Sequence, residues 1–254
     1  MAPFQGLARA ARPGVLFVVL ALLQCSFAQV CTFWDSGCID PLAQTAVPID
    51  FSPLFIDPVT FYYGFDSTAS GKGGGPSTKT GFWLRYQDGR VNPDAITSNR
   101  TSEISLHLGN FTGTPSGTNN GCDGIWGTLC SLDIKNALKG SIFHLSASGI
   151  YYSKPLKAAL TNLMLNPSRL PNCGAPVFDV PSIPVQGSGN RPWQVWYIDN
   201  MTSHKQASQV AVGILARSPV WGSPPPHTPD EVQIELVCLQ APSGPPTGPS
   251  KDHD

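Results

Sequence analysis

Charged residues are scarce in this 254-residue sequence, and neither sign dominates. The 16 Lys and Arg nearly balance the 17 Asp and Glu, so that 13% of the chain is charged and its formal net charge is −1. Soluble domains usually have about a quarter of their residues charged, and nucleic-acid-binding proteins carry a basic excess or stripe. The sequence therefore predicts no nucleic-acid partner. Its hydrophobic content of 41% also argues against disorder of the whole chain.

The motifs of familiar catalytic and cofactor sites are missing as well. The chain has no G-x-S-x-G or H-E-x-x-H motif, and no phosphate-binding or dinucleotide-binding glycine fingerprint. It has no C-x-x-C pair or Cys/His cluster for zinc, and no Asp-rich calcium loop. We therefore expect no cofactor and no bound metal.

One long hydrophobic run exists, and it stands near the N terminus. Gly14–Leu23 is apolar, is preceded by Arg9 and Arg12, and is followed by small residues ending at Ala28. These are the three parts of a secretory signal peptide, whereas a membrane-spanning helix needs roughly 20 apolar residues. The sequence predicts a signal peptide over residues 1–28 and a secreted, extracellular protein that leaves the membrane after cleavage.

Glycine and proline are abundant, with 25 residues of each. Together they make up about one residue in five, and such a high content of turn-forming residues is typical of a β protein with many short strands. We expect a mainly β fold, an antiparallel β-sandwich or jelly-roll, in one disulfide-stabilised domain over residues 29–240. The Pro/Gly/Ser-rich tail, residues 241–254, is expected to be disordered.

Short β-branched or aromatic runs bounded by turn residues predict six strands. The predicted strands are Val59–Phe65, Gly81–Gln87, Glu103–Phe111, Gln194–Asn200, Gln209–Arg217 and Val232–Leu239. The alternation of apolar and polar residues is clearest in Gly81–Gln87, where Phe82, Leu84 and Tyr86 share one side, and in the last strand.

Residues 131–166 interrupt this pattern with apolar residues at helical spacing. One stripe runs along residues 132–147, with Ser131 as a candidate N-cap, and a second follows Ser153 and Pro155. The segment predicts two amphipathic helices joined by a short link, an α-hairpin inserted between the early and the late strands.

Six cysteines remain after the signal peptide, which predicts three disulfides in an oxidising compartment. Two pairs would close short glycine-containing loops, and the third would join distant parts of the chain. The expected pairs are Cys31–Cys38, Cys122–Cys130 and Cys173–Cys238. Three N-x-S/T sequons, at Asn99, Asn110 and Asn200, predict N-glycosylation in a eukaryotic host.

Candidate catalysts are few. Glu103 and Glu235 lie on predicted strands and could form the carboxylate pair that glycoside cleavage requires. His107 follows Glu103 at strand spacing and could share its face, although the sequence offers no third metal ligand. Carboxylates and histidines on strand surfaces are normally solvated, however, and this explanation of the three residues is favoured over a catalytic or metal site.

Aromatic residues give a stronger signal. Trp126 and Trp221 lie in predicted loops, and Trp83 lies on the polar side of its strand beside Arg85. Flat rings next to polar groups such as Asp123 are a common way of holding sugars, although loop tryptophans also fold back into a core. These five residues form the predicted ligand-binding set.

The sequence therefore favours a non-enzymatic extracellular binding module for a wall or matrix polysaccharide. One alternative is a secreted carbohydrate-active hydrolase or lyase that uses Glu103 and Glu235. Another is a protein-interaction module at a cell surface or host interface. Sandwich folds carry all three functions, so the fold alone does not choose among them.

Overall fold

The computed structural model describes residues 30–31, 38–39, 43–66, 78–85, 91–95, 100–108, 111–148, 154–166, 169–174, 185–189, 195–201, 208–219 and 223–241. In this part the strands are β1 (Val30–Cys31), β2 (Cys38–Ile39), β3 (Ala43–Ile49), β4 (Val59–Asp66), β5 (Thr78–Arg85), β6 (Arg100–Leu108), β7 (Val185–Gly189), β8 (Val195–Met201), β9 (Val210–Pro219) and β10 (Gln233–Gln240). The α-helices are α1 (Asp123–Trp126), α2 (Thr128–Ala147) and α3 (Pro155–Leu165).

Eight of the strands form two four-stranded antiparallel sheets. Sheet I has the order β3-β4-β5-β8 and sheet II the order β10-β9-β6-β7. The short strands β1 and β2 form a separate hairpin. The predicted mainly β, antiparallel fold is confirmed.

All six predicted strands are present, with ends shifted by up to three residues. Strands β3 and β7 were not predicted, and both lie at sheet edges. Strand β3 contains Pro48, which an edge strand tolerates because one side of its backbone needs no ladder hydrogen bond. Strand β7 has the sequence VQGSG, which is too rich in glycine to give a strand signal.

A first apolar cluster contains buried side chains from both sheets. Phe61 and Tyr63 of β4 and Phe82 of β5 belong to it, together with Ile104 of β6 and Leu215 of β9. Large aromatic rings on sheet I are accommodated by a small residue on sheet II. At Gly213 of β9, an added Cβ would lie 2.8 Å from Cζ of Phe61.

We expect Gly213→Ala to lower the free energy of unfolding by about 1–3 kcal/mol, because a methyl group inserted into a packed core displaces its neighbours. The control is Gly140→Ala in α2, where an added Cβ meets nothing within 4 Å. That change should raise helix stability by about 0.5–1 kcal/mol. Chemical denaturation of the two variants checks this, and equal stability for both would contradict the packing described.

The opposite face of sheet II is covered by the helices. A second apolar cluster joins Ile134 and Leu138 of α2, Leu160 of α3, and residues of β9 and β10. The predicted inward face of the last strand is confirmed, since its members all lie in this cluster: Val232, Ile234, Leu236 and Cys238. Val237 and Leu239 are also buried, against sheet I. Sheet II is therefore the middle layer of the described structure.

The helical segment confirms the predicted α-hairpin, with one shifted end. Helix α2 begins at Thr128, so Ser131 lies inside the helix and its hydroxyl donates to the Gly127 carbonyl at 3.1 Å. Ser153, the predicted cap of the second helix, lies outside the described residues. Among the described helices, none combines the length and the apolar character that crossing a bilayer requires.

The structure pairs Cys122 with Cys238 and Cys130 with Cys173. The predicted pairs Cys122–Cys130 and Cys173–Cys238 are wrong, because α1 lies between Cys122 and Cys130 and the helices dock on β10. In the hairpin of β1 and β2, Cys31 lies opposite Cys38 in backbone register. Their side chains lie outside the described part, so that disulfide stays a prediction. The two observed disulfides fit an oxidising compartment.

Candidate functional site

Two aromatic rings stack on the outer face of sheet I. Tyr62 of β4 lies opposite Trp83 of β5, and their rings are 5.2 Å apart and 5° from parallel. Their chain neighbours Phe61, Tyr63 and Phe82 point into the first apolar cluster. Because side chains alternate between the faces of a sheet, Tyr62 and Trp83 point outward, and both are half-buried.

Small residues surround this ring pair on the same face. Gly64 and Gly81 lie opposite each other, two register positions along the ladder from Tyr62 and Trp83. On the neighbouring strand β3, the register partner of Tyr62 is the exposed residue Ala46. Gly64 and Gly81 are both buried, so the ring pair and the exposed Ala46 are the accessible part of this face. We call this surface the platform, defined by Ala46, Thr60, Tyr62, Gly64, Gly81 and Trp83.

The edges of the platform carry polar groups. Thr60 lies opposite Arg85, and Asp66 lies opposite Lys79, at the two ends of the β4–β5 ladder. The side chains of Arg85 and Lys79 lie outside the described part, so only their position on this face is known. The β1–β2 hairpin lies against β8 and β5. The predicted role of Trp83 is therefore compatible with its position, and Arg85 shares its face.

Trp126 lies elsewhere, in the helical layer. Its ring packs edge-on against Phe111 at 5.7 Å, and Phe111 packs edge-on against His107 at 5.0 Å. Trp126 is half-buried against the second apolar cluster, and its Nε1 is buried. This is the folded-back arrangement considered above, so Trp126 does not join Trp83 in one surface. Trp221 lies outside the described residues.

Asp123 also belongs to the helical layer. Its carboxylate accepts hydrogen bonds from the hydroxyl of Thr118, from Nδ2 of Asn119 at 2.8 Å and from Oγ1 of Thr128 at 3.1 Å. Slight burial raises the pKa of Asp123, but the hydrogen bonds from Thr118, Asn119 and Thr128 outweigh it and hold this pKa below its usual value. The carboxylate therefore organises its own loop, away from the outer face on which Trp83 lies.

The predicted carboxylate pair is not formed. Across sheet II, Glu103 is aligned with Ala216 and Ile234, whereas Glu235 is aligned with Leu215. A shift of one residue reverses the face on which a side chain lies, so the two glutamates belong to opposite faces. Oε1 and Oε2 of Glu235 each lie 3.1 Å from Nζ of Lys135 in α2, in a partly exposed ion pair.

Glu103 is buried, and it caps α3. Only 1% of the residue is exposed, and its Oε2 accepts the backbone N–H of Leu156, in the first turn of α3, at 2.7 Å. The residue before this helix, Lys154, makes no side-chain cap. Burial raises the pKa of Glu103 to about 7, although the N–H groups of Leu156 and Lys157 and the charge of Lys154 act in the opposite direction.

Other polar residues follow Glu103 on the same face of β6. Ser105 and His107 are both buried there, at 1% and 8% exposure. Oε1 of Glu103 and Oγ of Ser105 have no hydrogen-bond partner among the described residues. Within the same residues, no group of three or more His, Cys, Asp or Glu is arranged to hold a metal ion. Burial keeps this polar row away from a ligand in solution.

The sequence missed Tyr62, because its partnership with Trp83 depends on the register of β4 against β5. The sequons stay predictions: Asn99 and Asn110 lie outside the described residues, and Asn200 is described only as backbone in β8. In comparisons with known proteins, no family model, no curated protein and no solved structure matches this chain.

Proposed function

We propose that the protein is a secreted, non-enzymatic β-sandwich or jelly-roll module that binds a wall or matrix polysaccharide on the platform. The observation that carries this proposal is the parallel stack of Tyr62 and Trp83, both half-buried, on an outer sheet face beside the exposed Ala46. Sugar rings are flat and carry apolar C–H faces, which stack on aromatic rings while neighbouring polar groups fix their orientation.

The extent of the platform supports an elongated ligand. Four strands contribute to sheet I, and the outward positions from Ala46 to Trp83 cross three of them. A polysaccharide chain could cross the strands along this row, with Thr60 and Arg85 on one side. The predicted signal peptide, the predicted glycosylation sites and the two disulfides all support an extracellular setting for such a ligand.

The hydrolase alternative receives less support. Its predicted catalytic residues lie on opposite faces of sheet II, and each has a structural role: Glu103 caps α3, and Glu235 pairs with Lys135. Glycoside cleavage requires both carboxyl groups to flank one bond, about 5–10 Å apart and on the same substrate.

We expect Trp83→Ala to weaken polysaccharide binding roughly 10- to 100-fold, because one aromatic side chain buried on binding contributes about 1.5–3 kcal/mol. Tyr62→Ala should weaken it to a smaller degree, since Trp83 keeps its own stacking surface. The measurement is isothermal titration against soluble glycans and pull-down on insoluble ones, with protein exported by a eukaryotic host.

The matched control is Ile56→Ala, which removes an apolar side chain that is 56% exposed and lies outside the platform. Binding should be unchanged in this variant. The proposal fails if no glycan in the panel binds, or if Trp83→Ala binds as tightly as the wild type. Trp126→Phe gives a second comparison, since Trp126 belongs to the helical layer and should not affect affinity.

A further inference from the structure

A buried arginine stands at the end of sheet II. Arg217 of β9 is 3% exposed, its Nη1 donates to Oγ of Ser102 at 2.8 Å, and its Nη2 donates to the carbonyl of Ala95. Both acceptors are neutral. Burial lowers the pKa of Arg217, and the charge of Arg100 lowers it further. A guanidinium nonetheless stays protonated in proteins, so the positive charge remains.

Arg100 lies close to Arg217 on the neighbouring strand. Ser102 pairs with Arg217 in the β6–β9 ladder and Arg100 pairs with Pro219, so the two arginines are diagonal neighbours on one face. Such neighbours are about 7–8 Å apart at Cα, within reach of long side chains. Arg100 is half-buried. In the described part of the chain, neither arginine forms a salt bridge.

Two lysines near sheet II, unlike these arginines, are paired with carboxylates. Lys135 pairs with Glu235 at 3.1 Å and Lys139 pairs with Asp230 at 3.4 Å, although both lysines are more exposed than Arg217. A buried charge is costly unless it is paired, and two neighbouring like charges add to that cost. An anion bound beside the two arginines would therefore neutralise a positive charge that has no described counter-charge.

This pair lies at the end of the molecule where β4 begins. Gln233, the register partner of Arg217, donates a side-chain hydrogen bond to the carbonyl of Ser52, which lies between β3 and β4. Thr60, the second residue of β4, is the platform residue nearest this end. The arginines lie on the face of sheet II that is turned toward sheet I, the face of Leu215 and Ile104, whereas the platform lies on the outer face of sheet I. One extended ligand would therefore have to pass round this end of the two sheets to contact both.

We propose that Arg100 and Arg217 bind an oxyanion of the ligand, a carboxylate or a sulfate group, and that the polysaccharide is therefore acidic. This inference rests on the proposed function for the identity of the ligand, although the anion site itself does not. Guanidinium groups form short, charge-assisted hydrogen bonds with both kinds of oxyanion. Arg100, which is only half-buried, would contact the anion directly. Arg217, which is almost completely buried, would attract the anion through its positive charge.

The test compares three soluble polymers: a sulfated galactan, a polyuronate and a neutral glucan. Arg100→Gln should weaken binding of the preferred acidic polymer at least about tenfold, the loss of one charge-assisted contact, and leave the neutral glucan unchanged. The matched control is Lys157→Gln, which removes one positive charge from an exposed position on α3. Equal effects of these two variants would overturn the proposal.

A second measurement does not depend on any glycan. Sodium sulfate should raise the Tm of the wild type more than that of Arg100→Gln, at equal ionic strength in chloride, because general salt effects act on both proteins alike. If acidic glycans bind but neither measurement distinguishes Arg100→Gln, the anion site is wrong and the platform stands. If no glycan binds but sulfate protection depends on Arg100, the platform is wrong and the anion site stands.

Asp94 is the alternative counter-charge within the chain, since it precedes Ala95 in sequence. If Asp94 already neutralises the arginines, sulfate should give the wild type no additional protection and Asp94→Asn should create that protection. This result would overturn the proposal. Sulfate protection that is present in the wild type and unchanged in Asp94→Asn supports it.

Discussion

Replacing both Cys122 and Cys238 by alanine is expected to lower the free energy of unfolding by up to about 5 kcal/mol. The two residues are separated by 116 positions, and cross-linking so long a loop removes much of the entropy of the unfolded chain. Both cysteines are almost completely buried. Their disulfide joins the residue just before α1 to the edge strand β10, and so ties the helical layer to sheet II.

The comparison is the double variant Cys130→Ala and Cys173→Ala. Its disulfide spans 43 positions. For a loop of that length, the same loss of unfolded-chain entropy corresponds to about 4 kcal/mol of the free energy of unfolding. Denaturant unfolding without reducing agent measures both losses. A loss below about 1 kcal/mol for the Cys122/Cys238 variant would contradict the structural role given to that disulfide.

The single variant Cys238→Ala tests the pairing itself. The observed connectivity requires that it release one thiol at Cys122, whereas the pairing favoured by the sequence would release Cys173. Thiol labelling followed by peptide mapping separates the two results. Labelling at Cys173 alone would contradict the pairing found in the structure.

The elements that were predicted correctly are those whose signal is local. The last strand alternates along Val232, Ile234, Leu236 and Cys238 because one face packs on helices, and the α-hairpin shows its apolar stripes for the same reason. Strand β3 contains Pro48, which its edge position tolerates, and strand β7 has the glycine-rich sequence VQGSG, so neither shows the alternation of apolar residues from which a strand is recognised.

The site depended on information that no local pattern contains. Tyr62 and Trp83 are 21 positions apart in sequence, and only the register of β4 against β5 brings their rings together. Trp126 and Trp83 are alike as residues, yet one packs on Phe111 and the other lies on an outer face. Likewise, Glu103 caps a helix that begins more than fifty residues later, so local capping rules cannot identify it.

Glu103→Gln is expected to change how stability depends on pH. The pKa of Glu103 is raised from 4.5 to about 7 in the folded protein, so the folded state retains a proton that the unfolded state has lost. Stability from this group is therefore fully present below pH 4.5 and falls as the pH rises to about 7. A shift of this size corresponds to roughly 3 kcal/mol. The charge of Lys154 acts on the pKa of Glu103 in the opposite direction, and His107 lies four residues further along the same face of β6.

Wild type and Glu103→Gln should have similar stability at pH 5, because the carboxyl group is then mostly neutral and an amide can still accept the N–H of Leu156. At pH 8 the variant should be the more stable, by up to roughly 3 kcal/mol. Urea unfolding at both pH values measures the difference. The control is Glu235→Gln, whose partly exposed ion pair with Lys135 should contribute less than about 1 kcal/mol. Two results would contradict this prediction: a Glu103→Gln variant that is less stable than the wild type at pH 8, or a difference in stability that does not grow between pH 5 and pH 8. Either would mean that the charged carboxylate stabilises α3 and that the pKa of Glu103 is not raised.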